Sequence, residues 1–345
     1  MSGEASLPEC SLRVSVIGNG GFGTALAVHA QQLGHQVCLW GNNVEYTQRM
    51  SETRRNPRYL PGIDLPPEII IDSDASVVLK DAEIVLSVVP TQFVRPTFER
   101  LAGDLAPDVP MISCSKGLEQ STGLLPSQVL AELLPGDGIY VLSGPCHAEE
   151  LVRGMPASLV LAGPDGEELV QLQRALSGPT FRLYRCNDPL GVELGGALKN
   201  IVAIAAGIGD GLELGDNAKS ALLTRGLHEI SVLGAALGAQ RETFMGLAGM
   251  GDLITTSFSP HGRNRALGER LGRGETLDDI LATTQKVAEG VWTTRAVLEK
   301  SRNLGVELPI AEEVGRVLFE EEPVQTAVRR LMSRLLKDEG TWSEA

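Results

Sequence analysis

An α/β protein in two parts follows from three features of the sequence. β-rich runs alternate with helical spacing over residues 1–187, a glycine turn follows the first run, and only helical patterns occupy 188–345. The first part is expected to be a doubly wound, largely parallel sheet covered by helices on both faces, and the second an all-helical domain. With 345 residues, 43% of them hydrophobic, the chain can build two sizeable cores and is not a disordered tail.

Each element rests on a local signal. Residues 12–17 (LRVSVI) read as a buried strand running into Gly18, and 22–33 carry helical spacing as far as Gly34. A second short strand covers 37–40. The polar stretch 43–67, rich in Arg and Pro, is assigned no element. A strand at 69–71 follows, then a short helix at 74–80 capped by Asp72 or Ser73, then the apolar run 83–89 (EIVLSVV) stopped by Pro90. Strands at 111–114, 139–142, 158–162 and 180–184 are interleaved with helices at 91–101, 124–134 and 165–176. Beyond Asn187 the strand signal ends. Helices are expected at 192–212, 217–237, 263–271, 276–283, 290–302, 311–319 and 324–336, so the domain boundary falls at 186–189.

Composition narrows the function classes. Thirty basic against 44 acidic residues leave a net charge of −14, whose field repels nucleic acid and anionic membranes. Anionic small molecules must then be caught by a few cations, helix N-termini and backbone amides. The five cysteines are scattered, none in CxxC spacing, which points to a reducing, cytoplasmic setting. No signal peptide is expected from the first ten residues. The longest apolar stretch, 201–208, is less than half a membrane span, so no membrane insertion is expected. The histidines and cysteines form no metal-binding pattern, and no metal is expected.

Gly18-Asn19-Gly20-Gly21-Phe22-Gly23 matches G-x-G-x-x-G between a strand and a helix, the context in which that motif binds a dinucleotide. Gly18 permits the tight turn, Gly20 lets the backbone approach a pyrophosphate, and Gly23 allows close helix–strand packing. The domain is therefore of the Rossmann type. After the second strand, where an acidic residue selects NAD, stands neutral Asn42, with Glu45 slightly beyond. NAD and NADP both remain open, and Arg49, Arg54 or Arg55 could serve the latter.

Residues 194–212, LGGALKNIVAIAAGIGDGL, are almost wholly small or apolar apart from Lys199, Asn200 and Asp210. A lysine there is either desolvated, which suits proton transfer, or buried only by its stem. The neighbouring Asn200 favours a site. Two loops at the carboxyl edge of the sheet, Ser115-Lys116-Gly117 and 143–149 (SGPCHAE), suggest a binding crevice. In the helical half, 249–256 (GMGDLITT) precedes Gly262-Arg263-Asn264-Arg265. That second group opens a helix and has the makings of a phosphate site, although Arg263 and Arg265 could be plain surface charges.

These blocks resemble the bacterial-type NAD(P)-dependent glycerol-3-phosphate dehydrogenases from residue 14 to about 331. The matching segments, in order, are GNGGFGTALA, RRNPRYLPG, SKGLE, SGPCHAEE, ALKNIVAIAAGIGDGLELGDNAKSALLTRGL, GMGDLITT and GRNR. The resemblance implies reduction of dihydroxyacetone phosphate to sn-glycerol 3-phosphate, with NAD or NADP as cofactor. It implies a role in phospholipid synthesis, and a homodimer is expected. It assigns Lys199 as proton donor and acceptor, with Lys116 and Asp252 as further catalytic residues. Substrate contacts are implied for Lys116, Gly144, Cys146, Lys199, Asp252, Gly262, Arg263 and Asn264. Cofactor contacts are implied for Gly21, Phe22, Asn42, Lys116, Ala148, Arg263, Val287 and Glu289, in addition to the glycine turn.

Two departures stand out. The family often has Ala-Gly-Ser-Trp or Tyr where this chain has Asn19-Gly20-Gly21-Phe22. Cys146 replaces a more usual Ser, Thr or Asn, and a thiol is the weaker hydrogen-bonding group. Two other readings share the glycine turn: a 6-phosphogluconate or β-hydroxyacid type of dehydrogenase, and a non-catalytic dinucleotide-binding redox sensor.

Overall fold

The computed structural model describes residues 11–134, 136, 138–260, 262–283, 289–336 and 338–339. Strand β1 (Arg13–Ile17) leads through the glycine turn into α1 (Gly21–Gln32) and on to β2 (Gln36–Trp40). Next come α2 (Val44–Thr53), the antiparallel pair β3 (Arg55–Asn56) and β4 (Leu60–Asp64), β5 (Ile70–Asp72) and α3 (Ala75–Val78). Strand β6 (Ile84–Ser87), α4 (Val94–Leu101), β7 (Met111–Ser113), α5 (Pro126–Leu133) and β8 (Ile139–Ser143) follow. The sheet is completed by α6 (Ala148–Leu151), β9 (Ala157–Ala162), α7 (Glu167–Leu176) and β10 (Phe181–Cys186).

The eight-stranded sheet has the order β10-β9-β8-β7-β6-β1-β2-β5. Every neighbouring pair is parallel except β8–β9, so the largely parallel, doubly wound α/β class holds. Strand order runs outward from β1 in opposite directions, to β2 on one side and to β6 on the other, which makes the carboxyl end of β1 a topological switch point. Val14, Val16, Leu39, Ile84, Leu86 and Ile112 are buried, as expected of parallel strands covered on both faces. Buried Ser15 donates to the Val78 carbonyl at 2.6 Å, so its hydroxyl is satisfied inside the core.

Three local expectations need correction. The stretch 43–67 is ordered into α2 and the β3–β4 hairpin. Asn43 caps α2 by accepting from the Tyr46 amide at 2.8 Å, and only Thr47 and Met50 of that helix are buried, so its periodic signal is weak. The cap of α3 is Asp74, which accepts from the Ser76 amide at 2.9 Å; Asp72 instead holds the Asp74 amide. In the second half, the segment 241–258 forms an unforeseen 3-10 turn (Arg241–Met245), a π turn (Leu247–Gly251) and helix α10.

From Pro189 onward all described elements are helical: α8 (Pro189–Gly211), α9 (Gly215–Ala236), α10 (Asp252–Phe258), α11 (Arg263–Gly272), α12 (Leu277–Thr283), α13 (Glu289–Leu304), α14 (Pro309–Phe319) and α15 (Val324–Met332). Two compact units result. One runs to Lys116 and resumes over Leu125–Glu193; the other takes Gly117–Leu124 and continues from Leu194. By length and composition α8 is apolar enough to cross a membrane, beyond what the run 201–208 suggests. Of its most apolar window 94% is buried inside the protein, as in a core helix.

Glycines let α8 and α11 meet backbone to backbone. A Cβ on Gly268 would collide with the Ile204 carbonyl, and one on Gly207 with the Arg265 carbonyl. A Cβ on Gly211 would lie 2.9 Å from the Gly272 Cα. Gly268→Val is therefore expected to lower the stability of the helical unit by at least about 1–3 kcal/mol in a denaturant titration. Gly103→Ala, where a methyl group meets nothing within 4 Å, should stay within about 0.5 kcal/mol of the parent.

Candidate active site

The sheet unit builds a cradle at the end of β1. Gly18 has φ 120°, and a Cβ there would sit 2.6 Å from the Val88 carbonyl. A Cβ on Gly23 would collide with the Gly18 carbonyl, whereas Gly20 faces open space. Gly20 caps α1 without any side-chain bond, so the first amides of a 12-residue helix are available to an anion. These features fit the pyrophosphate of a dinucleotide. Gly21 lies beside Ala148, 3.6 Å from Cβ to Cβ were Gly21 to carry one, and half-buried Phe22 packs against the sheet core.

Side chains outside the motif hold this turn. Fully buried Asn56 donates from Nδ2 to the Asn19 carbonyl (2.9 Å) and to Thr24 Oγ1 (2.7 Å), and accepts from the Tyr46 hydroxyl (2.6 Å). Asn19 in turn donates to Thr47 Oγ1 at 3.1 Å. Neither Asn56 nor Tyr46 emerges from the sequence as a functional residue. A buried amide in an otherwise polar stretch leaves no periodic trace. Beyond β2, exposed Asn42 accepts from the Arg100 guanidinium at 2.9 Å. Of the cations proposed for this end, Arg54 binds the Pro66 and Ile69 carbonyls and Arg55 pairs with Asp64, so both are committed to the hairpin.

At the same sheet edge, Lys116 Nζ donates to the Gly144 carbonyl at 3.0 Å, joining the two loops singled out in the sequence. Gly144 has φ 141°, and a Cβ there would press on Leu159 at 3.0 Å. Cys146 is partly buried against the sheet core and forms no disulfide. Just before this loop, Ser113 donates to Glu193 at 3.2 Å. Glu193 also accepts from the amide (2.9 Å) and the hydroxyl of Ser127. Burial pushes the Glu193 carboxyl up to about 7, and these hydrogen bonds offset only part of that rise.

In the helical unit, Lys199 on α8 is 5% exposed and Asp252 on α10 only 2%. Lys199 Nζ pairs with Asp252 Oδ1 and donates to Thr256 Oγ1 at 2.6 Å. Asp252 and Thr256 are one helical turn apart and share a face of α10. Thr256 stands inside the GMGDLITT block, but its role there is not legible from residue type. Gly195 admits the preceding π turn, since a Cβ there would lie 2.8 Å from the Ala248 carbonyl.

Gly262 caps α11 without a side-chain bond, and a Cβ on it would lie 2.6 Å from the Thr256 carbonyl. The N-terminus of α11 thus rests on the residue that binds Lys199. Arg263, first in α11, is exposed. Asn264 is buried, and its Oδ1 accepts from the Gly290 amide at 3.0 Å, which brings it beside Glu289 at the start of α13. That oxygen is therefore committed to the fold. Arg265 is also committed, pairing with Asp210 at 2.6 Å and Glu269 at 3.2 Å. Val287 lies outside the described residues.

Strand order and the open glycine turn define the class of the first unit, a dinucleotide-binding domain. More narrowly, the chain belongs to the glycerol-3-phosphate dehydrogenase family. Residues 13–169 match the family described as NAD-dependent glycerol-3-phosphate dehydrogenase N-terminus, and 188–329 match its C-terminus. An NAD(P)+ glycerol-3-phosphate dehydrogenase of Salinibacter ruber is 43% identical over 329 residues, covering 94% of this chain and 96% of its own. Another, of Desulfitobacterium hafniense, is 45% identical over 327 residues, covering 95% and 93%. The crystal structure of glycerol-3-phosphate dehydrogenase from Coxiella burnetii is 34% identical with a TM-score of 0.89, covering 94% and 99%. This membership decides among the readings that share the glycine turn.

Two outcomes follow from the buried charges. Asp252→Asn leaves the Lys199 ammonium without its counter-ion and should destabilise the helical unit by about 3–5 kcal/mol, while Lys199→Met/Asp252→Leu recovers most of that loss in a denaturant titration. Burial pushes the Glu193 carboxyl from the ordinary 4.5 up to about 7, so the folded state holds the extra proton and stability falls as pH rises between those values. Glu193→Gln should accordingly gain on the parent, by on the order of 3 kcal/mol between pH 4.5 and 7.5, in unfolding titrations at both pH values.

Proposed function

We propose that the chain catalyses the reversible NAD(P)H-dependent reduction of dihydroxyacetone phosphate to sn-glycerol 3-phosphate. The observation that carries this reading is a lysine buried against an aspartate and a threonine, in a chain of the glycerol-3-phosphate dehydrogenase family. Bound NADH or NADPH supplies the hydride that reduces the C2 carbonyl carbon.

The chain's own groups do the rest. Lys199 places its ammonium at the C2 oxygen, offsets the charge that develops there, and donates the proton that completes the hydroxyl. Asp252 keeps Lys199 charged and orients the new hydroxyl, and Thr256 fixes the direction of the ammonium. Arg263 and the α11 amides behind Gly262 bind the phosphate. The Asn264 side chain holds α13 through Gly290, so its substrate contact would run through Nδ2 or its backbone amide.

Residues 18–23, Asn42, Ala148 and Glu289, with Val287, form the cofactor set, and Lys116 serves both cofactor and substrate. Gly144 presents the carbonyl that orients Lys116, and Cys146 lies on the same loop. The domains run 1–187 for the cofactor and 188–345 for substrate and catalysis. The assignment extends to a cytoplasmic homodimer that supplies the glycerol phosphate backbone of phospholipids and binds neither nucleic acid nor membrane; the net charge of −14 supports the last point.

Purified protein should oxidise NADH or NADPH only when dihydroxyacetone phosphate is added. Lys199→Ala should lower kcat by about 10²–10⁴-fold with cofactor affinity unchanged, the span of a lost general acid. Near-parental turnover in that variant refutes the proton-transfer role.

A further inference from the structure

The sheet unit carries an arginine at the adenosine end that no sequence motif marks. In a doubly wound sheet the adenosine ribose lies over the carboxyl end of the second strand, here Trp40 followed by Gly41 and Asn42. Arg100, near the end of α4, reaches this point across 58 positions of sequence. Its guanidinium donates to Asn42 Oδ1 at 2.9 Å and stands 5.7 Å from the centre of the Trp40 ring. No carboxylate among the described residues lies within ion-pair distance of it.

The turn beneath is closely packed. A Cβ on Gly41 would collide with the Asn19 amide and the Thr47 hydroxyl, so Asn42 follows a backbone held against these two side chains. A guanidinium has five donors in one plane, and one of them here is used by Asn42. The others are free to bind two oxygens of a phosphate. In a chain of net charge −14, an unpaired, oriented cation over the ribose site is a specific feature, all the more because Arg54 and Arg55 are committed to the hairpin.

We infer that Arg100 reads the 2′-phosphate of the adenosine ribose, with Asn42 as its positioning partner, and that the enzyme prefers NADPH over NADH. This rests on the cofactor reading above and adds the residue that sets the preference. Arg49, exposed on α2, is the competing cation against which Arg100 is compared.

Calorimetric titration with adenosine 2′,5′-bisphosphate and with 5′-AMP isolates the 2′-phosphate from turnover. The parent should bind the bisphosphate about 10–100-fold more tightly, the range of one charge-assisted hydrogen bond network. Arg100→Ala should abolish that preference while leaving 5′-AMP affinity and the melting temperature unchanged. Arg100→Lys should keep part of it, and Arg49→Ala all of it. Equal binding of the two nucleotides by the parent, or a preference that survives Arg100→Ala, overturns the inference and leaves the cofactor reading intact. If neither nucleotide, NAD+ nor NADP+ binds the parent, the cofactor reading itself fails.

Discussion

An ammonium and a carboxylate held together out of water set the terms for the helical half of this protein. Such a pair is tolerated only when each partner is present and their remaining hydrogen-bonding capacity is met, here with the help of Thr256. The demand propagates. Asp252 must start a helix at the right height, which the π turn before it arranges, and α8 must accept that turn at close range, which Gly195 permits. The small residues of α8 are thus not filler. They are what lets two other stretches of backbone come near enough for a lysine to be both buried and paired.

The sheet half answers a different problem, which is to attract a highly anionic molecule to an acidic chain. Long-range attraction is not available, so binding depends on short-range donors already in position. Gly20 leaves α1 uncapped, whereas Asn43 and Asp74 close α2 and α3 with their own side chains. Glycine at the first of these positions forgoes some helix stability and keeps the amides for a ligand. Gly262 on α11, the end assigned to the substrate phosphate, likewise carries no side-chain cap, a condition shared with α4, α6, α7, α9, α10, α14 and α15.

Most of the fold was legible because its strands are short apolar runs and its long helices carry a clear buried face. The glycine turn, the lysine helix and the resemblance blocks all stood out by residue type. What escaped was structure made by polar side chains. Helix α2 buries only Thr47 and Met50, so its period is faint, and the role of Asn56 depends on partners at positions 19, 24 and 46. Thr256 and Arg100 were hidden for the same reason: each acts on a residue far away in sequence. Arg54 and Arg55, too, look like free cations until the hairpin contacts they make are seen.

The Asn56 clamp bears on how far the glycine motif can be treated as a portable part. Its shape is set from outside, by an amide carried on a hairpin more than thirty positions downstream, which grips both the turn and the first helix. A chimera that borrowed only the six motif residues would inherit the sequence signature without the brace. Transplanting the function to another scaffold means moving the hairpin with it.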